Sequence, residues 1–280
     1  MRRPNPALIV AAFVALATAA LSNGVRAESE DERKKACANP DLRSRVVGSK
    51  FCFAIHTYGA ELAGPTPILA VVLHGDMSKG GPPKYHLDIA KALVAIDVVA
   101  VGIIRPGHAD ADGRQSDGQI VRSDRYSAEN VDSIADAVIK LKAHHKARET
   151  VMIGHSGGAA ITGILIGRHP GVVDRALLIS CPCDLARYRD MRRIQHAGTS
   201  LSPLKFVADV PKSTKVIAIT GAFDDNTDPD LAEEYVGKLK ERGINAKFVA
   251  MPGIGHNYNR TMRDSQVFRQ ALKDIVSGNF

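Results

Sequence analysis

A serine between glycines stands where an apolar, strand-like run meets an apolar, helix-like run. The segment Gly154-His155-Ser156-Gly157-Gly158 follows the run at residues 150–153 and precedes the run at residues 159–166. In a nucleophile elbow the serine backbone is strained so that its hydroxyl projects, and flanking glycines avoid collisions with the neighbouring strand and helix. The position and composition of this segment therefore predict Ser156 to be a nucleophile.

A nucleophilic serine needs a general base and an acid that orients this base. His256 stands in a glycine-rich turn directly after an apolar run at residues 247–251. Asp224 and Asp225 follow another apolar run at residues 216–220. The order serine, acid, histidine, with each residue just beyond a strand, is typical of one class of hydrolase. We predict His256 as the base and Asp224 as its acid, with Asp225 as the alternative.

Acyl transfer also requires two N–H donors for the oxyanion that develops during the reaction. Gly157, the residue after the nucleophile, would supply one backbone N–H. Asp76 would supply the other, because it lies in a loop that follows the apolar run at residues 68–73. Since a carboxylate beside a developing anion is unfavourable, we expect the Asp76 side chain to point away. His74 is expected to organise this loop by hydrogen bonding.

The elements that must position these residues alternate along the chain as in βα units around a mostly parallel sheet. Short apolar runs predict strands at residues 51–57, 68–73, 98–104, 150–153, 176–180, 216–220 and 247–251. Apolar residues at helical spacing predict helices at 128–145, 231–242 and 260–276. Residues 105–126 and 184–215 are predicted to be irregular, and loops of this length are often functional, so substrate choice is expected to lie there.

The chain resembles the α/β-hydrolase superfamily over about residues 48–276. The resemblance is carried by the serine segment, by His74-Gly75, by His256 and by the turn Arg105-Pro106-Gly107. It implies an α/β fold with a mostly parallel central sheet, helices on both faces and no large cap domain. Residues 202–226 more locally resemble the catalytic domain of the prolyl oligopeptidase family.

The superfamily resemblance implies a serine hydrolase that forms an acyl-enzyme on Ser156 and needs no metal or organic cofactor. We expect hydrolysis of carboxylic esters, with a small-molecule ester or short peptide as the substrate. A serine peptidase or amidase of the prolyl oligopeptidase type is the nearest alternative. A non-catalytic, hydrolase-like binding protein is the alternative from another class, prompted by Asp76 and by the basic loop.

Two charged loops have two interpretations each. Four arginines in the second irregular stretch could bind a substrate carboxylate, although a solvated basic face is favoured: Arg187, Arg189, Arg192 and Arg193. Three aspartates in the first irregular stretch suggest calcium but lack the bidentate glutamate of an EF-hand loop, so a solvated loop is favoured: Asp110, Asp112 and Asp117.

The amino terminus has the layout of a secretory signal peptide. Arg2 and Arg3 precede an apolar run at residues 7–21, and Val25-Arg26-Ala27 stands before an acidic stretch. We expect cleavage after residue 27, leaving residues 28–280 as a single exported domain, periplasmic or secreted. A retained amphiphilic anchor is the alternative. The sequence after residue 27 has no uninterrupted run of 18 apolar residues, so no membrane span is predicted there.

Composition narrows the possible partners. The formal net charge of +7 and the isoelectric point of about 9.3 would suit a nucleic-acid-binding protein. Removal of residues 1–27 takes three arginines away and leaves only +4. Aromatic residues make up 5% of the chain, with no tryptophan, which argues against base stacking. We therefore expect no nucleic-acid partner, and a substrate pocket walled mainly by aliphatic side chains and loop backbone.

Four cysteines agree with export to an oxidising compartment. A Cys37–Cys52 disulfide is favoured, because it would close a loop of about 15 residues and tie the mature start to the first strand. Cys181 and Cys183 form a C-P-C triplet whose disulfide would be strained. A structural or reduced pair is preferred there over a redox or metal site, because the C-x-x-C spacing is absent.

Overall fold

The computed structural model describes residues 27–119, 126–194 and 199–280. Eight strands form one sheet in the order β1-β2-β4-β3-β5-β6-β7-β8. The first two strands run antiparallel to their neighbours, and all other pairs are parallel. The strands are β1 (Arg45–Val47), β2 (Cys52–Tyr58), β3 (Ile68–Leu73), β4 (Val98–Ile103), β5 (Glu149–His155), β6 (Arg175–Ile179), β7 (Lys215–Gly221) and β8 (Ala246–Met251).

Eight α-helices connect or flank these strands in the described part of the chain. They are α1 (Glu30–Ala38), α2 (Tyr85–Ala92), α3 (Ala128–His145), α4 (Gly157–Arg168), α5 (Leu185–Arg192), α6 (Pro229–Glu241), α7 (Arg260–Asp264) and α8 (Gln266–Ser277). Short 3-10 helices lie at Ala60–Leu62 and Pro203–Asp209. None of these helices is long and apolar enough to cross a membrane.

The central strands are covered on both faces, which explains their continuous apolar sequences. On β3, Leu69, Val71 and Leu73 pack into a core shared with α3, α4 and α6. Ala70 and Val72 point to the other face, where α2 and α8 complete a second core. The predicted mostly parallel sheet with helices on both faces is confirmed, and the described residues include no large cap domain.

Every strand predicted from the sequence is present, with ends shifted by a few residues. The predicted helix at residues 260–276 is wrong as a single helix: it breaks at Ser265, whose extended backbone ends α7 and begins α8. The stretch at residues 184–215 is also less irregular than predicted, because it contains α5 and a 3-10 helix. Asp184 caps α5 by accepting from the N–H groups of Ala186 and Arg187.

The start of the described chain is fastened to the domain by polar contacts and a disulfide. The Glu28 N–H donates to the carbonyl of Gly113 over 3.0 Å, and the Glu28 carboxylate pairs with the buried Arg45. Cys37 and Cys52 are disulfide-bonded with an S–S distance of 1.99 Å, which joins α1 to β2. Residues 1–26, with most of the predicted signal peptide, lie outside the described residues.

The aspartate-rich loop differs from the solvated loop predicted from its sequence. The Asp110 carboxylate is fully buried and accepts from Arg114 Nε over 2.8 Å. It also lies 2.9 Å from His56 Nε2 and accepts from the backbone N–H groups of Asp112 and Arg114. Asp110 therefore closes the loop internally through an ion pair and backbone hydrogen bonds.

Candidate active site

The backbone at Ser156 has the strained geometry predicted for a nucleophile elbow. Ser156 lies between β5 and α4 with φ 53° and ψ −120°, a conformation that non-glycine residues rarely adopt. A Cβ atom on Gly154 would lie 2.2 Å from the carbonyl oxygen of Gly158. A Cβ on Gly158 would lie 2.5 Å from the carbonyl oxygen of Leu73. Both flanking glycines are therefore needed for the tight approach of the strand, the turn and the helix.

Ser156, His256 and Asp224 form one chain of hydrogen bonds across three loops. His256 Nε2 lies 3.0 Å from Ser156 Oγ, and His256 Nδ1 lies 3.0 Å from each carboxylate oxygen of Asp224. Asp225, the alternative acid, is exposed, and its backbone carbonyl accepts from Arg192. The structure thus brings Asp224 to His256 and leaves the Asp225 side chain at the surface.

The Asp224 carboxylate is held in its ionised form. Its side chain is fully buried, which by itself would raise its pKa. The hydrogen bond from His256, the favourable electrostatic interaction with its imidazole and the Thr227 N–H outweigh this cost, so the pKa lies below its ordinary value. Thr227 N donates to Asp224 Oδ1 over 2.7 Å, and Asn226 N over 3.1 Å. The buried acid is therefore anionic at neutral pH and fixed in its orientation.

The prediction that the Asp76 side chain points away from the site is wrong: its carboxylate lies beside Gly157 and is paired with Arg105. Asp76 accepts from Arg105 Nη1 and from the Tyr126 hydroxyl, each over 2.8 Å. A Cβ on Gly157 would approach Asp76 Oδ1 to 2.4 Å, so the carboxylate lies directly beside that glycine. Within the described residues, neither the Asp76 N–H nor the Gly157 N–H has a protein acceptor. His74 organises the loop as expected, since its Nε2 accepts from the Arg105 N–H over 2.9 Å.

A second chain of hydrogen bonds, which the sequence did not reveal, connects the loop after β3 to the loop that carries His256. The Gly75 N–H donates to the Tyr85 hydroxyl over 2.5 Å. This hydroxyl lies 2.8 Å from His155 Nδ1, and His155 Nε2 lies 2.9 Å from the backbone carbonyl oxygen of His256. Burial lowers the pKa of His155 to about 4 and raises the pKa of Tyr85 above its ordinary value. Both side chains are therefore neutral at neutral pH.

Ser156 and His256 open onto a cleft of about 580 Å³. Tyr85, Tyr188 and Tyr258 line it, so the prediction of a mainly aliphatic wall is wrong. The few tyrosines of the chain are concentrated at this place, which an overall composition cannot reveal. The loop after β3 and the end of α5 add aliphatic and basic side chains to the wall: Met77, Lys79, Arg192 and Ile194.

The arginines of α5 do not act as one basic face. Arg187 pairs with Glu234 at 2.9 Å and with Asp230 at 3.5 Å, both on α6. Arg192 instead lines the cleft and donates to the Asp225 carbonyl over 2.8 Å. Only one of these two side chains is therefore placed to meet a molecule bound at Ser156.

The C-P-C triplet forms a disulfide, which agrees with the predicted structural pair although strain was expected in so short a loop. Cys181 and Cys183 are fully buried and joined by an S–S bond of 2.08 Å directly after β6. The backbone carbonyl of Cys183 accepts from the Leu204 N–H over 2.9 Å. The disulfide thus lies within the segment between β6 and α5, and the Leu204 N–H links this segment to the 3-10 helix at Pro203–Asp209.

Two groups in the described part of the chain have the spacing of metal ligands, and in each of them ligand atoms are already bonded to other groups. His56, Asp110 and Asp112 cluster together, and the guanidinium of Arg114 already occupies that place. Cys37, Cys52 and Asp117 form the other group, whose sulfur atoms are joined in the disulfide.

Solved structures of esterases and peptidases share this fold. Est1E from Butyrivibrio proteoclasticus, with ferulic acid bound, superimposes with a TM-score of 0.64 at 15% identity, over 83% of this chain and 98% of that chain. The Pyrococcus furiosus esterase Pf2001 superimposes with a TM-score of 0.61 at 13% identity, over 83% of this chain and 89% of that chain. The uncomplexed acylaminoacyl peptidase of Pyrococcus horikoshii gives 0.61 at 14% identity, over 82% of this chain and 39% of that chain. These similarities confirm the predicted α/β-hydrolase fold.

No curated protein sequence matches the chain. The model of the prolyl oligopeptidase family matches residues 123–274, more than half of the chain. That segment contains Ser156, Asp224 and His256. Together with the fold, this match makes the chain an α/β-hydrolase of the serine hydrolase type, and it belongs to the prolyl oligopeptidase family.

Proposed function

We propose that this protein hydrolyses carboxylic esters through a catalytic triad of Ser156, His256 and Asp224. The observation that carries the proposal is the continuous hydrogen-bonded chain from Ser156 Oγ through the imidazole to a buried, ionised carboxylate. This arrangement opens onto a cleft large enough for a small ester. Adjacency of nucleophile, base and orienting acid is what covalent catalysis by serine requires.

In the proposed reaction, His256 Nε2 takes the Ser156 proton while Ser156 Oγ attacks the ester carbonyl. The Gly157 and Asp76 N–H groups donate to the resulting oxyanion, and loss of one such donor typically costs about 100- to 1000-fold in kcat. The protonated imidazole then gives its proton to the departing alcohol, which leaves an acyl group on Ser156. Water activated by His256 releases the acid and regenerates the free serine.

Arg105 and Tyr126 make Asp76 compatible with this role. An unpaired carboxylate close to the oxyanion would oppose its formation. The Arg105 guanidinium supplies the compensating charge, and the Tyr126 hydroxyl satisfies the second carboxylate oxygen. The Asp76 backbone can then donate to the oxyanion while its side chain adds little net repulsion.

A peptidase of the prolyl oligopeptidase type is the second candidate, favoured by the family match. This chain spans 39% of the length of the acylaminoacyl peptidase named above, so that peptidase is much longer. A panel of 4-nitrophenyl esters with graded acyl length, run beside Xaa-Pro and aminoacyl 4-nitroanilides, tests the two candidates. We expect faster hydrolysis of short-chain esters. Efficient cleavage after proline would overturn the ester proposal.

We also propose that the protein is exported and cleaved after Ala27. Two disulfides and the fastening of Glu28 to Gly113 and Arg45 support this. Cleavage there would leave Glu28 free to keep both contacts at the new terminus. Mass determination of the protein from the periplasm and medium of a bacterial host should give a chain that starts at Glu28. A full-length chain in the membrane fraction would favour the anchor instead.

A further inference from the structure

The hydrogens between Gly75 and His256 can be arranged in one way only. The Gly75 N–H can only donate, so the Tyr85 oxygen accepts from it. The carbonyl oxygen of His256 can only accept, so His155 donates from Nε2. Nδ1 of the neutral His155 ring is then an acceptor, and the single proton of the Tyr85 hydroxyl must go to it. The connection is therefore fully satisfied and has a fixed direction.

Both ends of this connection lie in glycine-containing loops. The loop after β3 contains Gly80 and Gly81, with φ of 75° and 84°. The loop after β8 contains Gly253 and Gly255, around which a Cβ would meet little or nothing. Glycine gives such loops more conformational freedom than other residues do. Arg105 and Tyr126 already hold the first loop through Asp76, and Asp224 holds the second through the His256 side chain. The connection through Tyr85 and His155 adds a direct link between the backbones of the two loops.

We propose that Tyr85 and His155 are positioning residues that couple the oxyanion-binding loop to the loop of the general base. The Tyr85 hydroxyl fixes the Gly75 peptide, which precedes the Asp76 donor, and His155 fixes the backbone of His256. The inference rests on the function proposed above, and it assigns the two side chains no contact with the substrate's reacting atoms.

The location and chemistry of the pair exclude a direct role in proton transfer. Each polar atom of the two side chains already has a partner within the connection. His155 is buried, and its desolvated imidazole has a pKa of about 4, so it does not compete with His256 as a base at neutral pH. A change at either residue should therefore act through the positions of Asp76 and His256.

Two single variants measure this effect, and a third is a matched control. In Tyr85→Phe and His155→Leu, kcat for 4-nitrophenyl butyrate should fall about 10- to 100-fold, since small misplacements of catalytic groups cost this much. KM should stay within about twofold because phenylalanine and leucine keep most of the bulk that Tyr85 and His155 give to the cleft wall. Tyr235 is also buried, its hydroxyl donates to the Gly163 carbonyl, and neither residue lines the cleft. Tyr235→Phe should leave kcat within about twofold of wild type.

Two further variants separate positioning from general loss of structure. His155→Gln keeps an N–H donor that can reach the His256 carbonyl, so its kcat should exceed that of His155→Leu by about threefold or more. The double variant Tyr85→Phe/His155→Leu should lose little more than the worse single variant, because both changes break one connection.

Each result bears on a different claim. A wild-type-like kcat for Tyr85→Phe, multiplicative losses in the double variant, or a change confined to KM would overturn the positioning role. If the folded wild-type protein neither hydrolyses esters nor reacts with a fluorophosphonate, the proposed function fails and this inference with it. If a fluorophosphonate labels the wild-type protein but Tyr85→Phe keeps the wild-type kcat, only the positioning role is overturned.

Discussion

At the scale of single residues, the structure separates two aspartates that the sequence could not. Asp224 and Asp225 follow the same strand, and either could turn towards a histidine on the next loop. The backbone N–H groups of Asn226 and Thr227 hold the Asp224 carboxylate inward, where it meets His256. Asp225 is exposed instead. The choice depends on how the turn closes, which no local pattern specifies.

Replacement of each acid by its amide tests this distinction. Asp224→Asn should lower kcat by about 10⁴-fold, because an amide favours the wrong imidazole tautomer, while KM changes little. Asp225→Asn, the matched control, should leave kcat within about twofold of wild type. Steady-state hydrolysis of 4-nitrophenyl butyrate measures both. A larger loss in Asp225→Asn than in Asp224→Asn would contradict the proposed triad.

Several residues of the site were not visible in the sequence because their contacts join distant parts of the chain. Tyr85 lies 70 positions from His155, and Tyr126 lies 50 positions from Asp76. The motif around Ser156 was recognisable because the strained elbow needs glycines at fixed spacing. A tyrosine that reaches the site from a helix and a loop has no such requirement on its neighbours.

At the scale of elements, α5 brings one basic side chain to the cleft. Arg192 lines the cleft at the end of this helix, whereas Arg187 is paired with acids of α6. Arg192→Met should raise KM about three- to fivefold for 4-nitrophenyl hydrogen glutarate, as expected for loss of an exposed charge pair of ~1 kcal/mol.

The same variant should leave KM for the uncharged 4-nitrophenyl pentanoate unchanged. Arg187→Met should leave KM unchanged for both substrates. Equal effects of Arg192→Met on the charged and the neutral ester would indicate that the side chain only packs against the cleft. Equal changes of KM in the two arginine variants would instead favour a solvated basic face on α5.

The helix α1 depends on its disulfide more than on packing, because none of its residues is buried. Replacement of Cys37 and Cys52 together by alanine should lower the free energy of unfolding by about 3 kcal/mol, the value for a loop of this length. Urea denaturation measures the change. Ester hydrolysis at 25 °C should persist, since neither cysteine lines the cleft. A loss below about 1 kcal/mol would mean that α1 contributes little through its cross-link.

At the scale of the whole molecule, buried neutral histidines should make the fold sensitive to acid. Burial lowers the pKa of His155 to about 4 and that of His86 to about 3. Between these values and the ordinary pKa near 6.5, the unfolded chain binds more protons than the native protein, so stability falls as the pH falls. Each histidine adds up to about 1.4 kcal/mol per pH unit to this slope.

His86 offers a direct check, because its imidazole is fully buried and desolvation is the main cause of its lowered pKa. Urea unfolding at pH 4.5, 5.5 and 6.5 should show stability falling with acid in the wild type. His86→Leu should show a slope shallower by about one proton's contribution, up to about 1.4 kcal/mol per pH unit. An unchanged slope in this variant would contradict the assignment of His86 as a buried neutral group.

The sheet could be predicted from sequence because strands that are covered on both faces have continuous apolar sequences, as in β3 and β4. The helix α2 was missed although it buries Ile89 and Ala90, and three other missed elements lack this signal. The strand β1 has three residues, and α1 and α5 are rich in charged residues and bury almost no side chain. Their places are set by the Cys37–Cys52 disulfide and by the Asp184 cap, so local hydrophobic periodicity could not reveal them.

The most direct test of the account is covalent labelling of Ser156. The folded wild-type protein should gain the mass of one phosphonyl group from a fluorophosphonate, and peptide mapping should place it on Ser156. Ser156→Ala should gain none, and His256→Ala should react at least about 100-fold more slowly, because the hydroxyl loses its base. Labelling of Ser156→Ala at the wild-type rate, or a folded wild type that does not react, would contradict the proposed serine hydrolase mechanism.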